Sequence, residues 1–262
     1  MFLLKSMIGR VIAAVALLVI LGGGWYFFIR EDNEVQKSAA DVSDAVRSAA
    51  SAQAGSPAAS PATTAPGATT APTTAASTTA AASTLAAKNY RLVTGQSSAW
   101  YLAPEKLASL PTSSVAKGTT TNVTGEFHVT ASGLDTAKPT TFTVDLSSLK
   151  SDQDRRDGRV QSALETNKFK SAVFTAKTLT GMTGTFTAAE VTMTLAGTMN
   201  LHGVQKDITW DLKVKQDGDI LSILGTTKFK YSDFAITKPD IGGFVSVEDE
   251  VTLQVQLYAA PV

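Results

Sequence analysis

The stretch VTMTLAGTMNLHGVQKDITWDLKV, residues 191–214, alternates apolar with polar or small side chains. Before the His-Gly pair at 202–203, every second residue is apolar, as at Val191, Met193 and Leu195. After the pair, apolar residues again fall on alternate positions, as at Trp210 and Leu212. A period of two places successive side chains on opposite faces of a β-strand, so each segment has one apolar and one polar face. The stretch therefore predicts two long strands joined in a hairpin.

The same alternation recurs in three further segments, which are residues 123–129, 142–146 and 251–257. Turn residues separate the strands at Asp135, at 216–219 and at 238–240. A single interval, Ser151–Thr166, has helical spacing, and there Asp154 is predicted to cap a short helix. One helix cannot cover a large sheet, so about eight strands must fold onto themselves as a barrel or a sandwich. Closure into a barrel also removes exposed strand edges, which favours the barrel.

The N-terminal part of the chain is predicted to attach it to a membrane. Residues 11–29 carry no charge, and 19 residues come close to the ~20 that a helix needs to cross a bilayer. A cleaved signal peptide is the alternative, since Lys5 and Arg10 precede the apolar run. The aromatic residues 25–28 are more typical of a membrane interface than of a cleavage site. We therefore expect a single-pass plasma-membrane protein with residues 1–10 in the cytoplasm and the C-terminal part outside it.

Residues 30–88 are predicted to be a disordered linker. Within them, Ser48–Ala87 contains no charged and no aromatic residue and is dominated by Ala, Thr, Ser and Pro. Such a composition lacks the apolar side chains that offset the entropy of folding. Glu34–Arg47 has weak helical spacing, so it is expected either to extend the membrane helix or to be a frayed polar segment. Charged and aromatic residues return at Asn89, so the folded domain is predicted to span 89–262.

Composition excludes several classes of function. The 23 basic residues balance 23 acidic ones, which leaves none of the positive charge that a nucleic-acid-binding protein needs. The absence of cysteine rules out thiolate metal sites and a cysteine nucleophile. No metal-binding spacing accompanies the two histidines, and no Gly-x-Ser-x-Gly motif or phosphate-binding glycine loop is present. We therefore expect neither an enzyme nor a bound metal.

Three segments in order carry a resemblance to a known family: residues 142–177, 197–212 and 229–257. They resemble the YceI-like family of bacterial proteins. The family's opening Trp motif survives only in part, as Trp100-Tyr101-Leu102. The resemblance implies an all-β fold, an antiparallel eight-stranded lipocalin-like barrel, and binding of a polyisoprenoid. The expected ligand is an isoprenoid lipid or a quinone-type molecule, and no other cofactor is expected.

An eight-stranded barrel has an interior that side chains can fill or that can hold one slim ligand. The candidate pocket residues are the large apolar side chains on the predicted inner face: Phe127, Phe142, Phe174, Met193, Leu195, Trp210, Leu212, Phe229, Leu253 and Leu257. The alternative is a fully packed barrel that acts as a cell-envelope interaction module without a ligand.

Two polar residues are candidates for contact with a ligand headgroup. Arg156 lies in the charged cluster of the predicted helix, and His202 lies in the hairpin turn. Each has a structural alternative, which is pairing within the helix for Arg156 and bonding to its own loop for His202. The other histidine, His128, is expected to face solvent, because Phe127 and Val129 belong to the inner face.

Overall fold

The structure is a computed structural model that describes residues 34–55, 87–107, 114–182, 184–241 and 245–262. The predicted membrane span 11–29, the preceding ten residues and the middle of the predicted linker lie outside these ranges. Within them, no helix combines the length and the apolar character that crossing a bilayer requires.

Antiparallel strands dominate the described residues, accompanied by two α-helices and two 3₁₀ helices. The α-helices are α1 (Asp44–Ala54) and α2 (Asp154–Ala163), and the 3₁₀ helices are Leu146–Ser148 and Tyr231–Phe234. The strands are β1 (Lys88–Leu92), β2 (Ser98–Leu107), β3 (Ser114–Thr120), β4 (Val123–Thr130), β5 (Gly133–Leu134), β6 (Thr141–Asp145), β7 (Ser171–Thr180), β8 (Val191–Leu201), β9 (Val204–Asp217), β10 (Ile220–Lys230), β11 (Asp240–Ile241), β12 (Val245–Val247) and β13 (Glu250–Pro261).

Eight of these strands close into a ring, which confirms the predicted antiparallel barrel. Their order is β1-β4-β6-β7-β8-β9-β10-β13, and the last strand pairs back onto the first through Leu92 and Ala259. The predicted hairpin of residues 191–214 is its longest ladder, in which Leu195 stands opposite Trp210. Strands β2 and β3 form a further hairpin beside β13, and β11 and β12 extend it. In each ring strand, the alternate side chains that are apolar face the interior.

The two ends of the barrel differ. The mouth end, as we name it, carries α2, the His202-Gly203 turn and the 3₁₀ helix Tyr231–Phe234. The plugged end carries the β9–β10 turn at Gly218 and Asp219 and the connection that contains Phe186. Strand β13 runs from the mouth end, where Glu250 pairs with Lys230, towards the plugged end.

The helix predicted within Ser151–Thr166 is present as α2, but its N-terminus is capped differently. Asp154 is the first helical residue, and no side chain caps the helix at Gln153. Asp157 instead accepts hydrogen bonds from the Ser151 amide (2.8 Å) and hydroxyl (2.7 Å), and the Lys150 ammonium lies 3.4 Å away. Burial opposes ionisation of this carboxyl, but these contacts outweigh it, so its pKa lies below the ordinary value.

A second helix, α1, corrects two predictions. The predicted linker 30–88 is too long at its N-terminal end, because residues 36–54 pack on the outside of the barrel rather than staying unstructured. Helix α1 is also separate from any extension of a membrane helix over Glu34–Arg47, since it begins at Asp44 with Ser43 as its N-cap. The physical reason is burial: Ala39, Val42, Val46 and Ala50 contact apolar side chains on the outer face of the sheet.

Gly197 on β8 provides a test of the barrel wall. A Cβ atom at this position would lie closer than 3.0 Å to the Thr175 carbonyl oxygen and the Ala176 Cα, beside a β-bulge in β7. Because backbone atoms cannot move aside cheaply, we expect Gly197→Ala to lower the free energy of unfolding by about 1–3 kcal/mol. Gly158 in α2 is the matched control, since nothing lies within 4 Å of its added Cβ. Gly158→Ala should be neutral or stabilise by about 0.5–1 kcal/mol in chemical denaturation.

Val46 tests whether residues 36–54 are part of the folded unit. Its side chain is 2% exposed, so Val46→Asp would bury an unpaired carboxylate or detach the helix. We expect amide hydrogen exchange in residues 39–54 to rise at least tenfold, with little change in the barrel strands. Ala45→Asp on the exposed side of α1 is the control and should leave exchange unchanged. Equal exchange in both variants would contradict the packing described here.

Candidate functional site

The barrel interior is hollow over part of its length. A cavity of about 180 Å³ extends from the middle of the barrel to the mouth end. Its lining side chains at the mouth, among them Val144, Leu164, Ala172 and Tyr231, are only half-buried. The cavity therefore reaches the surface at this end, beneath α2.

The plugged end is closed by a cluster of aromatic rings. Tyr90, Phe127 and Phe186 lie with their ring centroids 6.4 Å apart in each pair. Behind them, Val214 and Leu221 are fully buried. Phe127 also lines the cavity, so it forms the floor on which a ligand would rest.

Nine of the ten predicted pocket side chains line the cavity: Phe127, Phe142, Phe174, Leu195, Trp210, Leu212, Phe229, Leu253 and Leu257. The tenth, Met193, faces inward but is 2% exposed and belongs to the plugged end rather than to the lining. Alternation therefore identified the inner face, but it carries no information on height along the barrel axis.

Sequence reasoning missed the part of the lining that lies outside the ring strands. Val160 and Ala163 of α2 line the cavity together with Leu164, which follows the helix. Leu146 of the first 3₁₀ helix and Leu149, which follows it, also line the cavity. The spacing of residues 160, 163 and 164 was the available signal, because residues at i, i+3 and i+4 share one face of a helix. Tyr101 and Tyr231 were also missed, and they supply the phenol groups of the lining.

The lining is almost entirely apolar. Among the described residues it contains no charged side chain and no Ser, Thr or His. Burial raises the pKa of Tyr101, and it raises the pKa of Tyr231 to about 12, so both phenols are neutral donors at pH 7. Trp210 packs edge-to-face on Phe174 at 6.2 Å, and its Nε1 has no acceptor in the part of the chain that the structure describes.

The two predicted headgroup residues do not line the cavity. Arg156 lies beside the mouth, but its guanidinium pairs with Asp152 and with Glu105, the latter at 3.2 Å. His202 has its Nδ1 3.1 Å from the Phe234 carbonyl oxygen, and its ring packs on Phe169 at 4.9 Å. Neither residue makes the contacts expected of its structural alternative: Arg156 pairs outside α2, and His202 bonds the 3₁₀ helix Tyr231–Phe234 rather than its own loop.

His128 departs from the prediction that it faces solvent. It lies on the outer face of β4 but is only 5% exposed. Its Nδ1 is 2.9 Å from Asn89 Oδ1 and its Nε2 is 3.3 Å from a Glu126 carboxylate oxygen. The loop after β5 covers this position, and Thr140 accepts the His128 amide there.

Among the described residues, no His, Asp, Glu, Lys or Arg side chain lines the cavity. Acid–base catalysis needs a titratable side chain within hydrogen-bond reach of the reacting group. The cavity instead offers carbon surface with a few neutral donors. Within the described ranges, no three His, Asp or Glu side chains come together in a way that would hold a metal ion.

Several proteins of known structure are similar to this chain. The chain is similar to a polyisoprenoid-binding domain from Saccharophagus degradans that is implicated in plant cell wall breakdown, with 17% identity over 66% of this chain and 98% of that one and a TM-score of 0.51. It is also similar to Burkholderia cenocepacia BcnA, with 17% identity over 64% of this chain and 99% of that one and a TM-score of 0.48. The YceI protein of Campylobacter jejuni shares 21% identity over 48% of this chain and 72% of that one, with a TM-score of 0.39.

No match is found among curated protein sequences. The family model of the YceI-like domain matches residues 90–259, which include six strands of the closed ring in full and most of β1 and β13. This match covers well over half of the chain. The chain therefore belongs to the YceI-like domain family.

Proposed function

We propose that this protein binds an isoprenoid-type or quinone-type lipid in the barrel interior and holds or carries it without chemical change. One observation carries the proposal, which is an apolar cavity that is open at one end and floored by aromatic rings. The Saccharophagus degradans domain, described as polyisoprenoid-binding, has the same fold and gives independent support. The hollow half of the barrel argues against the alternative of a fully packed module.

The energetics of such a site favour a hydrocarbon ligand. Each buried methylene contributes about 0.8 kcal/mol, so affinity can come from chain length without polar contacts. A cavity of about 150 Å³ is large enough for benzene. An isoprene unit has five carbons, so about 180 Å³ holds on the order of one such unit in this state of the barrel. A longer tail must extend through the mouth or displace the rings of the plugged end.

The mouth suits a neutral polar group better than a phosphate. Tyr101 and Tyr231 are the phenol-bearing residues of the lining, and burial raises their pKa values, which keeps both hydroxyl groups protonated. Arg156, whose charge acts on Tyr101, is already paired with two carboxylates. A carbonyl or hydroxyl oxygen would accept hydrogen bonds from the phenols without displacing these ion pairs.

The proposal includes the location of the protein. The uncharged run of residues 11–29 supports a membrane anchor, and its aromatic end at residues 25–28 is typical of a membrane interface. The barrel then lies on the outer side of the plasma membrane, close to the lipids that it binds. Flotation of the full chain with vesicles tests the anchor separately from ligand binding.

Chain length of the ligand provides a direct test. We expect the affinity for aliphatic alcohols to rise by roughly fourfold for each additional buried methylene up to about five carbons, which fill the cavity. Among prenyl alcohols of five carbons or more, affinity should rise further only as far as the barrel can bury a longer tail. Tryptophan fluorescence of the full chain in nanodiscs reports binding, because Trp210 lines the cavity. Absence of any response from five to twenty carbons would contradict the proposal and favour the packed module.

Ala172 tests the site itself. It is half-buried, lines the mouth of the cavity and stands opposite Val144. Ala172→Trp should fill the entrance and lower prenyl-alcohol affinity at least tenfold, with a melting temperature within a few degrees of the wild type. Ser171→Trp, the neighbouring exposed position on β7, is the matched control and should bind as the wild type does. If Ala172→Trp fails to fold, Val144→Phe serves in its place.

Mass spectrometry of lipids that co-purify with the full chain and with Ala172→Trp completes this comparison. Enrichment of one prenyl lipid in the wild type alone would identify the ligand. Equal lipid content in both preparations would refute the cavity as the binding site.

A further inference from the structure

Phe186 enters the barrel interior from outside the strands. It lies in the connection between β7 and β8, yet its side chain is 8% exposed and belongs to the apolar core of the barrel. Of residues 184–190, all of which the structure describes, Phe186 alone is buried. One ring therefore projects from a largely exposed connection into the plugged end.

The other two rings of the plugged end are fixed by strand pairing. Tyr90 and Phe127 stand directly opposite each other on β1 and β4, and Tyr90 also pairs with Pro261 of β13. The Phe186 ring packs edge-to-face on Tyr90 and at a tilt of 41° on Phe127. Because Phe186 lies outside the strands, its side chain can be changed without altering a strand pairing.

The barrel wall at this level supplies little volume of its own. Val214, Leu221 and Ala259 are fully buried core residues, and Leu221 stands opposite Ala259. Ala259 contributes only a methyl group, whereas Leu257, the preceding inward residue of β13, lines the cavity with a larger side chain. The Phe186 ring therefore fills space at the plugged end that the strands leave.

Hydrogen bonds hold the connection beside Phe186 in place. The Gln216 amide near the end of β9 donates to the Thr187 carbonyl at 2.7 Å. Glu190 accepts hydrogen bonds from the Ser38 hydroxyl at 2.6 Å and from the Ala39 amide at 2.8 Å. The chain that follows the Phe186 ring is thus attached to the barrel and to the segment on its outer face.

The position of Phe186 relative to the cavity gives the ring a role in binding. Phe127 lines the cavity and also packs on Phe186, which does not itself line the cavity. A tail that continued past the floor would therefore meet the Phe186 ring next. Carbons that instead extend out of the mouth remain in water and add little to the affinity.

We propose that Phe186 is a specificity-determining residue that limits the length of lipid tail held inside the barrel. With its ring in place, the cavity of about 180 Å³ takes on the order of one isoprene unit. This proposal rests on the proposed lipid-binding function and narrows it. The barrel recognises one terminal isoprene unit, so short and long prenyl chains bind with nearly the same affinity.

Replacement of Phe186 by alanine tests this limit with prenyl alcohols of five, ten and fifteen carbons. Trp210 fluorescence of the full chain in nanodiscs reports binding, and empty nanodiscs correct for partitioning of the alcohols. In the wild type we expect the ten-carbon alcohol to bind no more than twofold tighter than the five-carbon alcohol. In Phe186→Ala the ratio should reach at least tenfold, because about three further methylenes, each contributing roughly fourfold, enter the space of the ring.

The methyl groups of Val214 and Leu221 show where the tail lies, because both residues are fully buried at the plugged end. The ten-carbon alcohol should shift their NMR resonances in Phe186→Ala and leave them unchanged in the wild type. If Phe186→Ala fails to fold, Phe186→Leu takes its place, with an expected affinity ratio of at least fourfold.

Ile220→Ala is the matched control. Ile220 lies at the same end of the barrel and is 7% exposed, but it packs in the cluster on the outer face. Its truncation removes buried carbon without opening the interior, so the ratio between the two alcohols should stay at the wild-type value.

The outcomes separate this proposal from the proposed function. A wild-type protein that responds to none of the three alcohols overturns lipid binding, and the length limit with it. A wild-type protein that binds the five-carbon alcohol but holds the ten-carbon alcohol tenfold tighter overturns the role of Phe186 alone. The same conclusion follows if Phe186→Ala folds and keeps the wild-type ratio.

Discussion

Closure of the sheet is the constraint on which the rest of this structure depends. Once β13 pairs back onto β1, every strand has two neighbours in the ring, and all inward side chains must share one enclosed space. The width of that space is set by the number of strands, so its content is decided by side-chain size at each level. At one level Tyr90, Phe127 and Phe186 meet and fill it. Towards the mouth, Val144 and Ala172 are too small to do so, and a cavity remains.

Strand periodicity made it possible to predict which side chains face the barrel interior. It did not predict whether those side chains fill the interior or leave a cavity. Because apolar and polar residues alternate along each strand, the sequence shows which side chains share a face. On this basis Trp210, Leu253 and the other candidates were correctly predicted to face the interior. Met193 shows the boundary of this reasoning, because it has the right parity but lies at the plugged end. Height along the axis depends on register and strand tilt, which are properties of the assembled ring.

The segment of residues 36–54 shows a different reason why sequence reasoning fell short. Residues 36–54 are poor in large apolar side chains and adjoin an Ala/Thr/Pro-rich stretch, so composition predicts a linker. Small residues nevertheless suit close packing on a sheet, and Ala39, Val42, Val46 and Ala50 follow one another at helical spacing. Gln254 and Gln256, polar residues on the outer face, bond to the main chain of Gln36 and Ala40. Main-chain recognition leaves little trace in the sequence of the segment that is bound.

The unequal filling of the barrel links stability to binding. An unfilled cavity costs about 24 cal/mol for each Å³, so about 180 Å³ costs on the order of 4 kcal/mol in the empty protein. This cost is comparable to a large part of the net stability of an ordinary domain. The packed rings of the plugged end and the continuous hydrogen-bonded ring offset it. An apolar ligand that fills the cavity restores the missing contacts, and it stabilises the barrel in proportion to its own affinity and concentration. The packed half of the barrel therefore supplies the stability that the empty cavity lowers. When a ligand fills the cavity, the contacts that it restores contribute to its binding affinity.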